Sequence, residues 1–261
     1  MRTYLYQNTF SEFITIPKPL MSFKLDLLAI AAHPDDVELA CAGTILSHIK
    51  QGKKVGILDL TRGELGTRGT PELRLQEAAA AALILGVPFR ENVGIRDGFF
   101  RNTEADQMAI IPFIRKYQPE IVLANAIHDR HPDHGRGAKL IYDACFLSGL
   151  RQIETFDENG KPQSPWRPKN VFHYIQDQYI KPDFIIDITP HWEQKVESIR
   201  AFRSQFYDPN STEPESYISN PDFLKFVEAR SREYGHAIGV AHGEGFTITR
   251  AIGLTDLWSI K

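Results

Sequence analysis

The chain has 261 residues, 42% of them hydrophobic, and a formal net charge of −3. That is ample apolar material for a sizeable core, in one large domain or two small ones. The near-neutral balance excludes a bulk electrostatic attraction to nucleic acid or to an anionic membrane, and the two cysteines, Cys41 and Cys145, exclude a disulfide framework.

In chain order, residues 1–20 come first. They are polar and aromatic without a clear period, and they lack the basic start and continuous apolar stretch of a secretory signal. They are expected to be an extension to a single domain over residues 21–261, with Met21 a candidate start. No apolar run approaches the ~18 residues of a membrane span, so a cytoplasmic protein with reduced thiols is expected.

Residues 25–31 (LDLLAIA) are almost continuously apolar, as in a strand buried on both faces. Residues 37–50 read as one helix stopped by Gly52, and residues 54–60 (KVGILDL) as a second buried strand. A glycine-rich turn follows over 63–69. Thr70-Pro71 then supplies an N-cap and a proline for a helix ending at Gly86. A short strand is expected over 92–95, a helix over 103–117, a strand over 120–124 and a helix over 134–147. Later strands are expected over 171–175 and 184–188, then helices over 189–202 and 221–234. Residues 157–170 and 207–221 read as surface loops, the second as a mobile lid. Strands alternating with helices indicate an α/β fold: a mostly parallel sheet covered on both faces.

Two clusters carry the chemistry. The first, Ala32-His33-Pro34-Asp35-Asp36-Val37-Glu38, directly follows the first strand; the second, His128-Asp129-Arg130-His131-Pro132-Asp133-His134, follows the strand at 120–124. In open parallel sheets, ligands bind at the carboxyl ends of strands, so both clusters can face one site. A catalytic zinc takes three protein ligands from His and Asp/Glu and keeps one open position. His33 and Asp36 flank a proline turn, and His134 at a helix start is the natural third donor. Zinc or another divalent ion suits this set. Asp35 is placed to take a proton from an attacking water. His131 would protonate the leaving group or stabilise the oxyanion, with Asp133 fixing its tautomer and raising its pKa.

Taken alone, either cluster reads as well as a strand-to-helix turn with an aspartate N-cap. Two at equivalent positions argue against that. Gly63, Gly66 and Gly69 lack the dinucleotide fingerprint and are expected to form a tight turn, which also removes a nucleotide-binding oxidoreductase. Arg130, between two pocket histidines, is expected to bind a substrate anion. His242 lies in a glycine-rich stretch and is a candidate pocket-lining residue.

The segments AHPDDVELACAGT, HPDH, GELGTRGT with Arg74 beyond it, and HGEGF together resemble the LmbE-like (PIG-L) zinc deacetylases over residues 24–246, and within them the bacillithiol-biosynthesis branch. The resemblance implies a Rossmann-like sheet and removal of an N-acetyl group from an N-acetylglucosamine conjugate such as its malate glycoside. It implies a metal held by His33, Asp36 and His134, Asp35 as base, and His131 with Asp133 as acid. It further implies Arg74 and Arg130 on malyl carboxylates, and a homo-oligomer, often a hexamer. Two alternatives remain: another N-acyl aminosugar as substrate, such as a chitin-derived oligosaccharide, or metal-dependent sugar binding without turnover.

Overall fold

The first strand, β1 (Leu27–Ala31), is buried along its whole length. Its alternation sends Leu28 and Ile30 into one apolar cluster and Leu27, Ala29 and Ala31 into another, on opposite faces. Those two clusters explain the unbroken apolar runs seen in the sequence. The protein is described by a computed structural model covering residues 24–260; the expectation for residues 1–20 lies outside them.

The other strands are β2 (Val55–Asp59), β3 (Phe89–Asn92), β4 (Ile121–Ala124), β5 (Asn170–Tyr174), β6 (Phe184–Asp187) and β7 (Gly243–Ile248). They form one sheet in the order β3-β2-β1-β4-β5-β7-β6. The first five are parallel, and β7 runs antiparallel to both neighbours. Helices α4 (Glu104–Tyr117) and α5 (Pro132–Leu147) cover the Leu28 face. Helices α1 (Asp36–Ala40), α2 (Ala42–Lys50) and α3 (Pro71–Leu85) cover the other. Outside α1 and α3, α6 (Trp192–Arg200) and α7 (Phe223–Ala237) build a third cluster around Ile199, Phe202 and Val227. Among the described residues no helix is long and apolar enough to cross a membrane.

The chain leaves β1 toward β2 and β3 on one side, then returns to place β4 and β5 on the other. The loops after β1 and β4 therefore part at a topological switch point, where a crevice opens at the carboxyl edge of the sheet. Both histidine-aspartate clusters lie there.

Three elements differ from expectation, each for a long-range reason. The helix expected over 37–50 is broken at Cys41 (φ −139°). Its second half is capped from afar: Glu244 of β7 accepts from Gly43 N, Thr44 N and the Thr44 hydroxyl, and its charge is met by buried Lys195 at 2.5 Å. The third strand lies at Phe89–Asn92, earlier than expected, because Arg90 is hidden by pairing with Glu38 and Asp59 at 2.6 and 2.8 Å. Strand β7 was not expected at all, since HGEGF reads as a turn. A Cβ on Gly243 would approach Gly235 N to 2.9 Å, so this strand needs glycine to let α7 pack against it.

Candidate metal centre

The proline turn after β1 places Asp36 at the first position of α1, with its carboxylate buried. Nitrogen atoms of four residues surround it. Asp36 Oδ2 accepts from His33 N at 3.0 Å and Asn125 Nδ2 at 3.1 Å, and Oδ1 accepts from Gln176 Nε2 at 2.7 Å. His134 Nε2 faces Oδ1 at 3.1 Å, and His33 Nδ1 faces Oδ2 at 3.6 Å. Asn125 also accepts from Ala32 N at 2.8 Å, tying the loop after β4 to the end of β1.

The far nitrogen of each imidazole meets a carboxylate. His134 Nδ1 lies 2.5 Å from Asp129 Oδ2. His33 Nε2 lies 3.0 Å from Asp97 Oδ1 and 3.3 Å from Asp133 Oδ2. Burial alone would raise the Asp36 carboxyl, but His134 and His33 outweigh it and hold it well below the usual range. For His134, burial is outweighed by Asp36 and Asp129, which push the imidazole up to about 9.

These atoms suit a divalent ion. Tetrahedral zinc, with bonds of about 2.0–2.2 Å, separates its ligand atoms by roughly 3.3–3.6 Å, close to the spacings around Asp36. Donor atoms of His33, His131 and His134 also lie within 4.8 Å of one another. His131, however, has its Nδ1 lone pair occupied: as N-cap of α5 it accepts from Asp133 N at 3.2 Å. Its proton is then on Nε2, which makes it a donor rather than a metal ligand.

Asp35 is buried, with φ +113°, an unfavourable backbone for a residue bearing a Cβ. Burial pushes its carboxyl up to about 7, Asp36 adding to the rise and Arg74 opposing it. A carboxyl poised there suits proton transfer near neutral pH.

Residues 28–145 match the sequence profile of the PIG-L family, described as GlcNAc-PI de-N-acetylase. The solved conserved protein TT1542 of Thermus thermophilus is 34% identical, superposes with a TM-score of 0.79, and aligns with 91% of this chain and all (100%) of its own. This chain belongs to the PIG-L family. A diacetylchitobiose deacetylase of Thermococcus kodakarensis is 29% identical over 76% of this chain and 80% of its own length. A probable N-acetyl-α-D-glucosaminyl L-malate deacetylase of Bacillus anthracis is 25% identical over 69% and 81%.

One expectation about this PIG-L site needs correction. Asp133 does not bond the His131 ring through its carboxylate. That group accepts from Gly98 N at 2.9 Å, faces His33 and pairs with Arg136, so only the Asp133 main chain sets the His131 tautomer. Nor is the His131 pKa raised: burial, His33 and His134 lower it to about 4. Arg74, expected on a substrate carboxylate, makes its contacts within the protein. It is 5% exposed, and its guanidinium donates to Pro34 O at 2.5 Å, Asp35 Oδ2 at 3.0 Å and Gly63 O. Gly63, at φ +64°, makes room for it, since a Cβ there would fall 1.8 Å from Arg74 Nη1. The glycine-rich turn thus houses an arginine that holds Asp35.

Arg130 does stand at the mouth. It is exposed, pairs with Asp177 at 3.0 Å and stacks 3.9 Å over the ring of Tyr217 from the loop over 207–221. Arg230 of α7, unmarked by any motif, reaches Asp177 O at 2.9 Å. The cavity among Arg130, His134, Gln176 and Tyr217 is only about 20 Å³. Ligand pockets hold ~300–1,000 Å³, so this cavity is too small for a sugar conjugate. A larger cleft of about 360 Å³, lined by Trp192 and His242, lies between α6 and α7, apart from the metal cluster.

Arg74→Gln is expected to leave a buried carboxylate short of its cation and to destabilise the fold by about 3–5 kcal/mol, read by urea denaturation. An unchanged midpoint with a raised KM for anionic substrates alone would return Arg74 to substrate binding.

Proposed function

We propose that the chain is a zinc-dependent hydrolase that removes the acetyl group from an N-acetylglucosamine conjugate. The observation that carries this reading is the convergence of His33, Asp36 and His134 beside a buried, strained Asp35. His33 Nδ1, Asp36 and His134 Nε2 would hold the ion. When bound, it supplies Lewis acidity to the acetyl carbonyl and acidifies water. Asp35 takes the proton of the attacking water and returns it to the departing amine. The Nε2–H of His131 donates to the oxyanion, a role that a neutral imidazole performs. Acetate and a free amino sugar are the products. The buried unpaired cysteines, Cys41 and Cys145, suit a reducing cytoplasm.

For the aglycone we favour an anion of the malyl type, as named for the Bacillus anthracis relative. Arg130 and Arg230 share the single carboxylate of Asp177, leaving one positive charge at the mouth. A neutral chitin disaccharide, the substrate named for the Thermococcus relative, would not need it. A homo-oligomer belongs to the same reading.

Asp35→Asn is expected to keep its zinc by elemental analysis and lose ~10²–10⁴-fold in kcat. Near-normal turnover would remove Asp35 from the mechanism, and a wild type that binds zinc but releases no acetate would leave a binding protein.

Arg130→Ala should lower kcat/KM on the malyl conjugate by roughly ten- to a hundred-fold, as loss of one charge-assisted hydrogen bond implies, and spare free N-acetylglucosamine. Equal losses on both would make Arg130 architectural. A wild type that prefers chitobiose would assign the neutral substrate.

A further inference from the structure

The HDRHPDH segment contains an aspartate, Asp129, that no step above uses. Its carboxylate is fully covered and held from two loops. Asp129 Oδ1 accepts from Arg130 N at 2.9 Å and from Gln178 N at 2.6 Å, so the loops after β4 and β5 both grip it. Only Oδ2 remains, and it faces His134 Nδ1 at 2.5 Å. A carboxylate accepts and does not donate. The proton in that contact is therefore on Nδ1, so Nε2 is the nitrogen whose lone pair becomes available to an ion.

The same logic applies to His33 with the polarity reversed. Nε2 faces two carboxylates, Asp97 at 3.0 Å and Asp133 at 3.3 Å, each anchored by a main-chain amide, Leu65 N for Asp97 and Gly98 N for Asp133. That nitrogen holds a proton, so Nδ1, toward Asp36, is the one whose lone pair becomes available to an ion. Both of these nitrogens thus stand at one carboxylate, 3.1 and 3.6 Å away. A lone pair facing an anion is repelled unless a proton or a metal ion lies between them, and the ion takes the place of the proton when it binds.

We propose that Asp129 is the positioning residue of His134, and Asp97 with Asp133 that of His33, so that the two rings ligate the ion as opposite tautomers, His134 through Nε2 and His33 through Nδ1. Carboxylate partners on the far nitrogen orient a ligating ring and raise its basicity, and their loss costs roughly 10–100-fold in metal affinity. The proposal rests on the metal reading above. It assigns Asp133 to His33, with its carboxylate turned away from His131.

The test uses full-length protein labelled with ¹⁵N-histidine. In the zinc-loaded wild type, long-range ¹H–¹⁵N spectra are expected to show His134 protonated at Nδ1 and His33 protonated at Nε2. The opposite pattern at either ring overturns the assignment for that ring, whatever any variant does. In Asp129→Asn the two main-chain amides should keep the amide oxygen, which turns the NH₂ toward His134 Nδ1 and drives its proton to Nε2. The zinc Kd, read by chelator competition on protein with unchanged circular dichroism, is expected to rise ~10–100-fold. For Asp97→Asn the rise is smaller, because Asp133 still faces the same nitrogen. An unchanged Kd and tautomer in Asp129→Asn would sink the positioning role while leaving the metal reading intact. A wild type that binds no zinc would overturn both.

Discussion

Everything at this site depends on one buried carboxylate. Asp36 opens α1 directly after the proline turn, and it is where the two halves of the sheet meet. Asn125 from the β4 side, Gln176 from the β5 side and His33 N from β1 all donate to it, and His134 reaches it from α5. An isolated buried carboxylate is costly and would neutralise itself by taking up a proton. Here the surrounding donors and imidazoles keep it charged. The switch point thus gathers side chains from four segments around a fixed negative charge, a setting that attracts a cation.

The neighbouring aspartates divide by what they touch. Asp35 pairs with an arginine and keeps a proton affinity near neutrality. Asp129, Asp97 and Asp133 back the two imidazoles. A run of acidic residues that looks redundant in sequence separates into one carboxyl held near neutrality, one charged carboxylate between the imidazoles and three behind them. Their burial makes the division sharp, since charges interact more strongly away from water.

Much of this was legible in the sequence. Unbroken apolar runs marked β1, β2 and β4, because strands covered on both faces cannot alternate with polar residues. The proline turns marked both clusters, and their equivalent places after strands led to His33, Asp36 and His134. Contacts between distant segments were not legible. Nothing local around Arg74 reveals that the turn at Gly63, eleven residues earlier, folds over it, or that its guanidinium reaches Asp35. Asp97 lies in a loop with no motif, and Arg230 sits on a helix whose pattern speaks only of packing. The break at Cys41 comes from Glu244, about two hundred residues away in the chain. Asp129 carried a visible signal, five residues before His134, but tautomer support appears only when a partner's geometry is known.

The central claim is that His33, Asp36 and His134 bind the ion and His131 does not. Anomalous diffraction at the zinc edge from zinc-loaded crystals tests it most directly. The account predicts one ion bonded to His33 Nδ1, an Asp36 oxygen and His134 Nε2 at about 2.0–2.2 Å, with His131 turned toward it as a hydrogen-bond donor. An ion held by three imidazoles, with Asp36 outside its shell, would contradict it.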